Sequence, residues 1–178
     1  MNHGNHGMNH GMDLGPADAA YDLRFIDAMM PHHEGAIVMA NVVLKQSQRP
    51  ELKKLAQAIV TAQAQEITQM QQWRKAWYPK AESTPVMWHR SMQHMIPMDE
   101  ATIKSMRMDL DLGPADTTFD QRFIDAMIPH HEAAVTMAQD LAGKTQRPEM
   151  KTLAKNILSS QQAEINQLKQ WRKAWYGN

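Results

Sequence analysis

Two short phrases in this chain set imidazole and thioether side chains at fixed spacing: Phe25-Ile-Asp-Ala-Met-Met-Pro-His-His-Glu34 and Phe123-Ile-Asp-Ala-Met-Ile-Pro-His-His-Glu132. Met29 precedes His32 and His33 by three and four residues, and Met39 follows them. Met127, His130, His131 and Met137 repeat the arrangement. On an α-helix those steps gather side chains on one face. Thioether sulfur is a soft, neutral donor suited to Cu(I), while imidazole accepts copper in both valences. The pattern predicts two equivalent copper stations for Cu(I) and Cu(II), with silver as a mimic of Cu(I). Zinc would be content with imidazole but gains little from thioether. The competing reading makes all four histidines surface or hydrogen-bonded core residues, and the duplicated pair with positioned methionines weighs against it. Adjacent histidines cannot point the same way on a helix. Either one enters the core while the other reaches its margin, or each serves a different metal.

Two further groups of soft ligands lie outside these phrases. Residues 1–12 carry His3, His6 and His10 with Met8 and Met12 in a Gly- and Asn-rich tract. That tract is too polar to pack and is expected to be a disordered metal-binding tail. If Met1 is a free N-terminus, Met1-Asn2-His3 offers an amine, two amides and an imidazole in the square-planar array Cu(II) prefers. Between the phrases, residues 79–110 hold His89, Met92, His94, Met95 and Met98 among other methionines, broken by Pro79, Pro85 and Pro97. This Met-rich linker reads equally as a set of metal ligands or as a strap whose methionines fill gaps over a core.

The elements that position the phrases are themselves duplicated. Residues 13–78 align with residues 111–176 at a constant offset of 98, without a gap. Each repeat opens with Leu-Gly-Pro-Ala-Asp, where Pro16 and Pro114 suggest a helix start. Apolar residues then recur at Phe25, Met29, Ala36, Met39 and Val43 with helical spacing. Pro31 and Pro129 fall inside this stripe, and because the period carries across them the expectation is a kinked continuous helix. Gln-Arg-Pro-Glu at 48–51 and 146–149 marks the turn into a second helix. Its face is Leu52, Leu55, Ile59, Ile67, Met70, Trp73 and Trp77, with counterparts in the second repeat. Each repeat is then an αα-hairpin with one apolar side, and two of them should pair into an all-α four-helix bundle over residues 13–178. Glu66 and Glu164 fall at the edge of the buried stripe. A ligating imidazole usually donates its other nitrogen to such a carboxylate, although a solvated position is the alternative.

Composition narrows the function classes. Lys and Arg total 19 and Asp and Glu total 19, so the net charge is zero and the basic stripe of a nucleic-acid binder is missing. No run of 18 apolar residues occurs, so no transmembrane segment is expected. Cysteine is absent while methionine numbers 16, which excludes disulfides and thiolate metal sites. Thioether and imidazole survive where a free thiol would be oxidised, which favours a periplasmic or extracellular protein whose leader is absent from this chain. A non-enzymatic copper protein is the leading class, exchanging the ion with a protein partner. The rivals are a ferritin-like or hemerythrin-like redox enzyme and a metal-free interaction bundle. The di-iron carboxylate pattern needs Glu-x-x-His on two helices, and no Glu here is followed three residues later by His.

The Phe-Ile-Asp-Ala-Met-x-Pro-His-His-Glu phrase, with Ala36, Met39-Ala40, the Leu-Gly-Pro-Ala-Asp openings and the Gln-x-x-Glu-Ile stretches, resembles a bacterial family of CopM-like periplasmic copper-binding proteins long filed as a domain of unknown function. The resemblance covers both repeats. It implies a four-helix bundle, copper binding outside the cytoplasm and a role in copper resistance. Met29, His32, His33, Met39, Met127, His130, His131 and Met137 stand at the family's motif positions.

Overall fold

The computed structural model describes residues 13–178. The tail, with the copper-ligand expectations for His3, His6, Met8, His10 and Met12, lies outside the described residues. Four long helices dominate: α1 (Tyr21–Gln46), α2 (Pro50–Trp77), α4 (Phe119–Lys144) and α5 (Pro148–Tyr176). Between α2 and α4 the chain forms β1 (Val86–His89), β2 (His94–Pro97) and the short helix α3 (Glu100–Arg107). Both prolines of the duplicated phrase lie inside unbroken helices.

Two expectations change. The Leu-Gly-Pro-Ala-Asp openings do not start helices; α1 and α4 begin at Tyr21 and Phe119. The opening is instead a loop wrapped around an arginine. Arg24, 1% exposed, donates to the carbonyls of Leu14 (2.6 Å) and Pro16 (2.7 Å) and pairs with Asp18. Arg122 repeats this with Leu112, Pro114 and Asp116. Gly15 and Gly113 take positive φ, which glycine adopts without a Cβ penalty. Backbone carbonyls too far from the helix to enter its ladder thus find a five-donor partner.

The linker also departs from a plain strap. β1 and β2 pair antiparallel, with Trp88 opposite Met95 and His89 opposite His94. Asp99 caps α3 by accepting from the amide of Thr102 at 2.7 Å, as an N-cap carboxylate does. The hairpin base is fastened to α1, where Asp27 accepts both the Val86 amide (2.9 Å) and the Arg74 guanidinium (2.7 Å).

The core divides into two apolar halves. One joins Phe25, Ile26 and Met29 of α1 to Met137 and Leu141 of α4, with Met70, Met98, Met106, Met150 and Ile157. The other joins Ala36, Met39 and Val43 of α1 to Phe123, Ile124 and Met127 of α4, with Leu52, Ile59, Ile165 and Leu168. Early α1 residues meet late α4 residues and the reverse, so the two helices cross antiparallel. The histidines at 32–33 and 130–131 fall between the halves. Their carbon neighbours above and below are apolar, and the layer itself is polar.

Candidate metal centre

All four helix histidines are buried, none more than 1% exposed. Neither member of a pair reaches the margin, so the division between them is one of partners. His32 and His130 stack on each other across the α1–α4 crossing, ring centroids 3.8 Å apart and 16° from parallel. His33 and His131 turn the other way, toward the second helix of their own hairpin. His33 Nε2 lies 2.8 Å from Glu66 Oε1, and His131 Nε2 lies 2.9 Å from Glu164 Oε1. Both carboxylates occupy the place expected from the edge of the buried stripe.

The stacked pair is tied to the linker by main-chain atoms. His32 Nδ1 meets the Met106 carbonyl and Nε2 the His130 carbonyl, each at 2.8 Å. His130 Nε2 meets the Arg107 carbonyl at 2.9 Å. Met106 and Arg107 end α3, where unpaired carbonyls carry the negative end of the helix dipole. A neutral imidazole has one N–H, so His32 donates to one carbonyl and sets a lone pair against the other. Protonation would relieve that conflict, but burial pushes the His32 pKa down to about 4. Burial, then the charge of His32, holds His130 well below its usual value. The pair is therefore neutral near pH 7, with both His32 nitrogens already facing oxygen.

His33 and His131 are different. With Nε2–H donated to a carboxylate, Nδ1 carries the lone pair. In both residues that atom is buried with no hydrogen-bond partner among the described residues, as is His130 Nδ1. Leaving such a group unsatisfied costs about 1–3 kcal/mol. Gln63 and Gln161, one turn before the glutamates, are also buried with Oε1 unpartnered. Glu66 is 15% exposed and lines an open cleft of about 900 Å³ between α2 and α5. The cleft links solvent to the carboxylate that holds His33.

The structure does not bring Met29 and Met39 together. They fall in opposite halves of the core, Met29 with Met137 and Met39 with Met127. Helical spacing sets Met29 one turn before His33 and Met127 one turn before His131. Each half of the core therefore holds one methionine from each repeat, Met29 and Met137 in one and Met39 and Met127 in the other. Among the described residues no three His, Asp or Glu side chains converge on one point.

The linker methionines divide between buried and exposed positions. Met98 and Met106 are buried in the core and Met87 packs against it. Met92 and Met95 are exposed at 64% and 39%, and His89 and His94 face each other beside the turn, centroids 6.2 Å apart. The sequence offered no sign of the carbonyls of Met106 and Arg107, since backbone ligands carry no residue signature.

Among solved structures, the chain is similar to CopM in its Cu(II)-bound form, at 41% identity and TM-score 0.69 over 87% of this chain and 98% of that one. The Cu(I)-bound form matches at 39% identity and TM-score 0.67 over 87% and 97%, and a silver-bound form at 39% and 0.68 over the same shares. An uncharacterized protein of Acanthamoeba polyphaga mimivirus is 43% identical over 49 residues, 28% of this chain and 32% of that protein. The chain thus spans about a third of the length of the curated relative it matches. No helix among the described residues is long and apolar enough to cross a membrane. The family model described as "Domain of unknown function (DUF305)" matches residues 22–172, both hairpins and the linker between them, and the chain belongs to that family.

Proposed function

We propose that this protein binds copper in its core, without catalysing a reaction, and buffers, sequesters or hands on the ion outside the cytoplasm. One station is His33 Nδ1 with the thioethers of Met29 and Met137; the other is His131 Nδ1 with Met127 and Met39. The observation that carries the reading is the buried, unpartnered Nδ1 of each histidine while its Nε2 is fixed on a glutamate. An orphaned lone pair beside thioethers suits a soft monovalent ion. The glutamate supplies the negative charge that a buried cation needs. The likeness to CopM solved with Cu(I), Cu(II) and silver supports the same metal.

Two stations imply two tight equivalents of Cu(I) in the core. Anaerobic titration against a chromophoric Cu(I) chelator tests this on the intact chain and on His33→Ala/His131→Ala. The double variant should lose two equivalents and keep its helical circular-dichroism signal. Unchanged stoichiometry and affinity in that variant would sink the assignment.

A further inference from the structure

The exposed end of the β-hairpin is not part of the buried layer, and its side chains have a chemistry of their own. His89 and His94 form the last cross-strand pair before the turn. Residues directly opposite on an antiparallel ladder project to the same face, and here the two rings lie 6.2 Å apart and tilted by 43°. With a metal–nitrogen bond of about 2 Å, an ion sits about 3 Å from each ring centre. Two rings at this separation span one ion lying between them, close to the linear geometry that monovalent silver and copper accept.

His89 presents the right atom. Its Nδ1 accepts from the Met92 amide at 3.1 Å, so that nitrogen carries the lone pair and Nε2 the proton. A metal ion at Nδ1 takes the place of the Met92 amide and of the Ser91 hydroxyl, which lies 3.4 Å from the same nitrogen, and needs no change of tautomer. The same bond puts the backbone of Met92 against the ring, and the Met92 side chain is 64% exposed. A flexible thioether is thereby tethered at the mouth of the imidazole pair.

The frame beneath the pair is fixed. Trp88 packs against Gly15, where no side chain could fit beneath it, and the Arg24 guanidinium lies 5.1 Å from its ring centre. The Val86 amide is held by Asp27, and the Met98 amide by the Pro85 carbonyl at 2.8 Å. The hairpin is pinned at its base, and Arg90 in its turn reaches Asp13 at 3.8 Å, so the two imidazoles are pre-positioned, His94 exposed and His89 half-buried.

We propose that His89 and His94, with the Met92 thioether as third donor, form a surface site for a soft monovalent ion, Cu(I) or Ag(I). It is separate from the buried stations and open to exchange. This rests on the copper-binding reading for its biological ligand but not for its test.

The probe is silver(I), added to the full chain and followed by NMR of individual imidazole rings and methionine methyl groups. Residue-level readout separates the hairpin from every other His and Met in the chain. The His89 and His94 rings should shift together and saturate at one equivalent, with the Met92 methyl following. They should do the same in His33→Ala/His131→Ala. His94→Ala reduces a chelate to single-ligand binding and should weaken silver at His89 about 100-fold. Met92→Leu should weaken it about tenfold if the thioether adds one soft bond. Rings of His89 and His94 that stay unmoved while silver fills the chain overturn the site. Equal affinity in Met92→Leu overturns the third donor. A responsive hairpin with a silent core supports this site while removing the core stations, so the two failures are distinguishable.

Discussion

The carbonyl oxygen of Arg107 occupies the space that a β-carbon on Gly35 would fill. The second repeat has Ala133 at the equivalent position, and no linker helix lies over it. Gly35 is what lets the end of α3 settle onto α1, and that end supplies the carbonyls of Met106 and Arg107 to the stacked histidines. One missing methyl group therefore connects the linker to the polar layer.

Gly35→Ala tests that connection with a sign that propensity alone would reverse. In a free helix the change favours folding by about 1 kcal/mol. Here the added carbon collides with main chain, and overpacking of that kind costs about 1–3 kcal/mol. The variant should melt lower, by roughly 2–4 °C per kcal/mol for a chain of this size. The His130 ring resonance should also move as the Arg107 carbonyl withdraws. A higher melting temperature with an unmoved His130 would show that α3 is not seated there.

The two repeats are also latched reciprocally. Arg49, in the turn of the first hairpin, pairs with Asp120 at 2.7 Å, meets the Tyr176 hydroxyl at 3.1 Å and lies 4.1 Å from the Trp175 ring centre. Arg147 does the same to Asp22, Tyr78 and Trp77 at 2.7, 3.2 and 4.3 Å. Asp120 and Asp22 are nearly buried, so removing an arginine strands a carboxylate. Arg49→Ala or Arg147→Ala should each cost on the order of 3 kcal/mol in urea unfolding. Lysine should rescue only partly, because it keeps the charge but loses the planar stack. Full rescue by lysine would reduce the latch to a simple ion pair.

Those latches mark where the sequence stopped being informative. The α1 stripe and the unbroken run through Pro31 follow from local period. On α2 the period placed Leu52, Ile59 and Met70 in the core but missed Ala56 and Gln63, which are buried where Ile67 is not. The period also set Glu66 at the edge of that stripe without naming His33 as its partner. Arg49 looked like a turn residue because its partners lie 71 and 127 positions away. That Met29 shares its half of the core with Met137 rather than Met39 needed the antiparallel crossing of α1 and α4, which no single-repeat pattern encodes. The hairpin was hidden for a chemical reason: His89-Arg-Ser-Met-Gln-His94 lacks the Gly or Asn that signals a tight turn, and Gln93 takes the positive φ instead.

The low pKa of His32 predicts an acid sensitivity of the metal-free protein. Its pKa falls from 6.5 in the free state to about 4 in the fold. Between those values the unfolded chain holds a proton that the folded chain does not, so stability declines as pH drops through that window. The contribution is complete above pH 6.5 and exhausted below about 4, on the order of 3 kcal/mol in total. His130 shifts in the same direction and adds to the slope. Urea midpoints measured from pH 7.5 to 5, where most carboxylates stay ionised, should fall steadily. His32→Asn should flatten the curve. A flat curve in the unaltered chain would contradict the burial of neutral imidazoles.

The pairing of Glu66 with His33 gives the most direct test of how the core would hold an ion. The carboxylate fixes Nε2 as the protonated nitrogen and so directs the Nδ1 lone pair inward; it also sets a negative charge beside the position a monovalent cation would take. Thioethers and a neutral imidazole bring no charge of their own. Without the glutamate, a buried cation would face the full cost of desolvation. Removing a carboxylate that orients a ligating histidine typically lowers metal affinity 10–100-fold. Glu66→Ala should lower Cu(I) affinity by about that factor at one station and leave the other intact. Glu164→Ala should do the converse. Because the His33 ring is fully buried and Glu66 is the partner of its Nε2, the substitution strands that N–H and should also destabilise the metal-free protein by about 1–3 kcal/mol, so affinity is compared on protein shown to be folded. A competition titration that resolves two classes of site in each single variant, and one weak class in the double, is the expected outcome. Two sites weakened equally by either single substitution would mean that the ions share one centre at the stacked His32 and His130, and would relocate the metal to the crossing of α1 and α4.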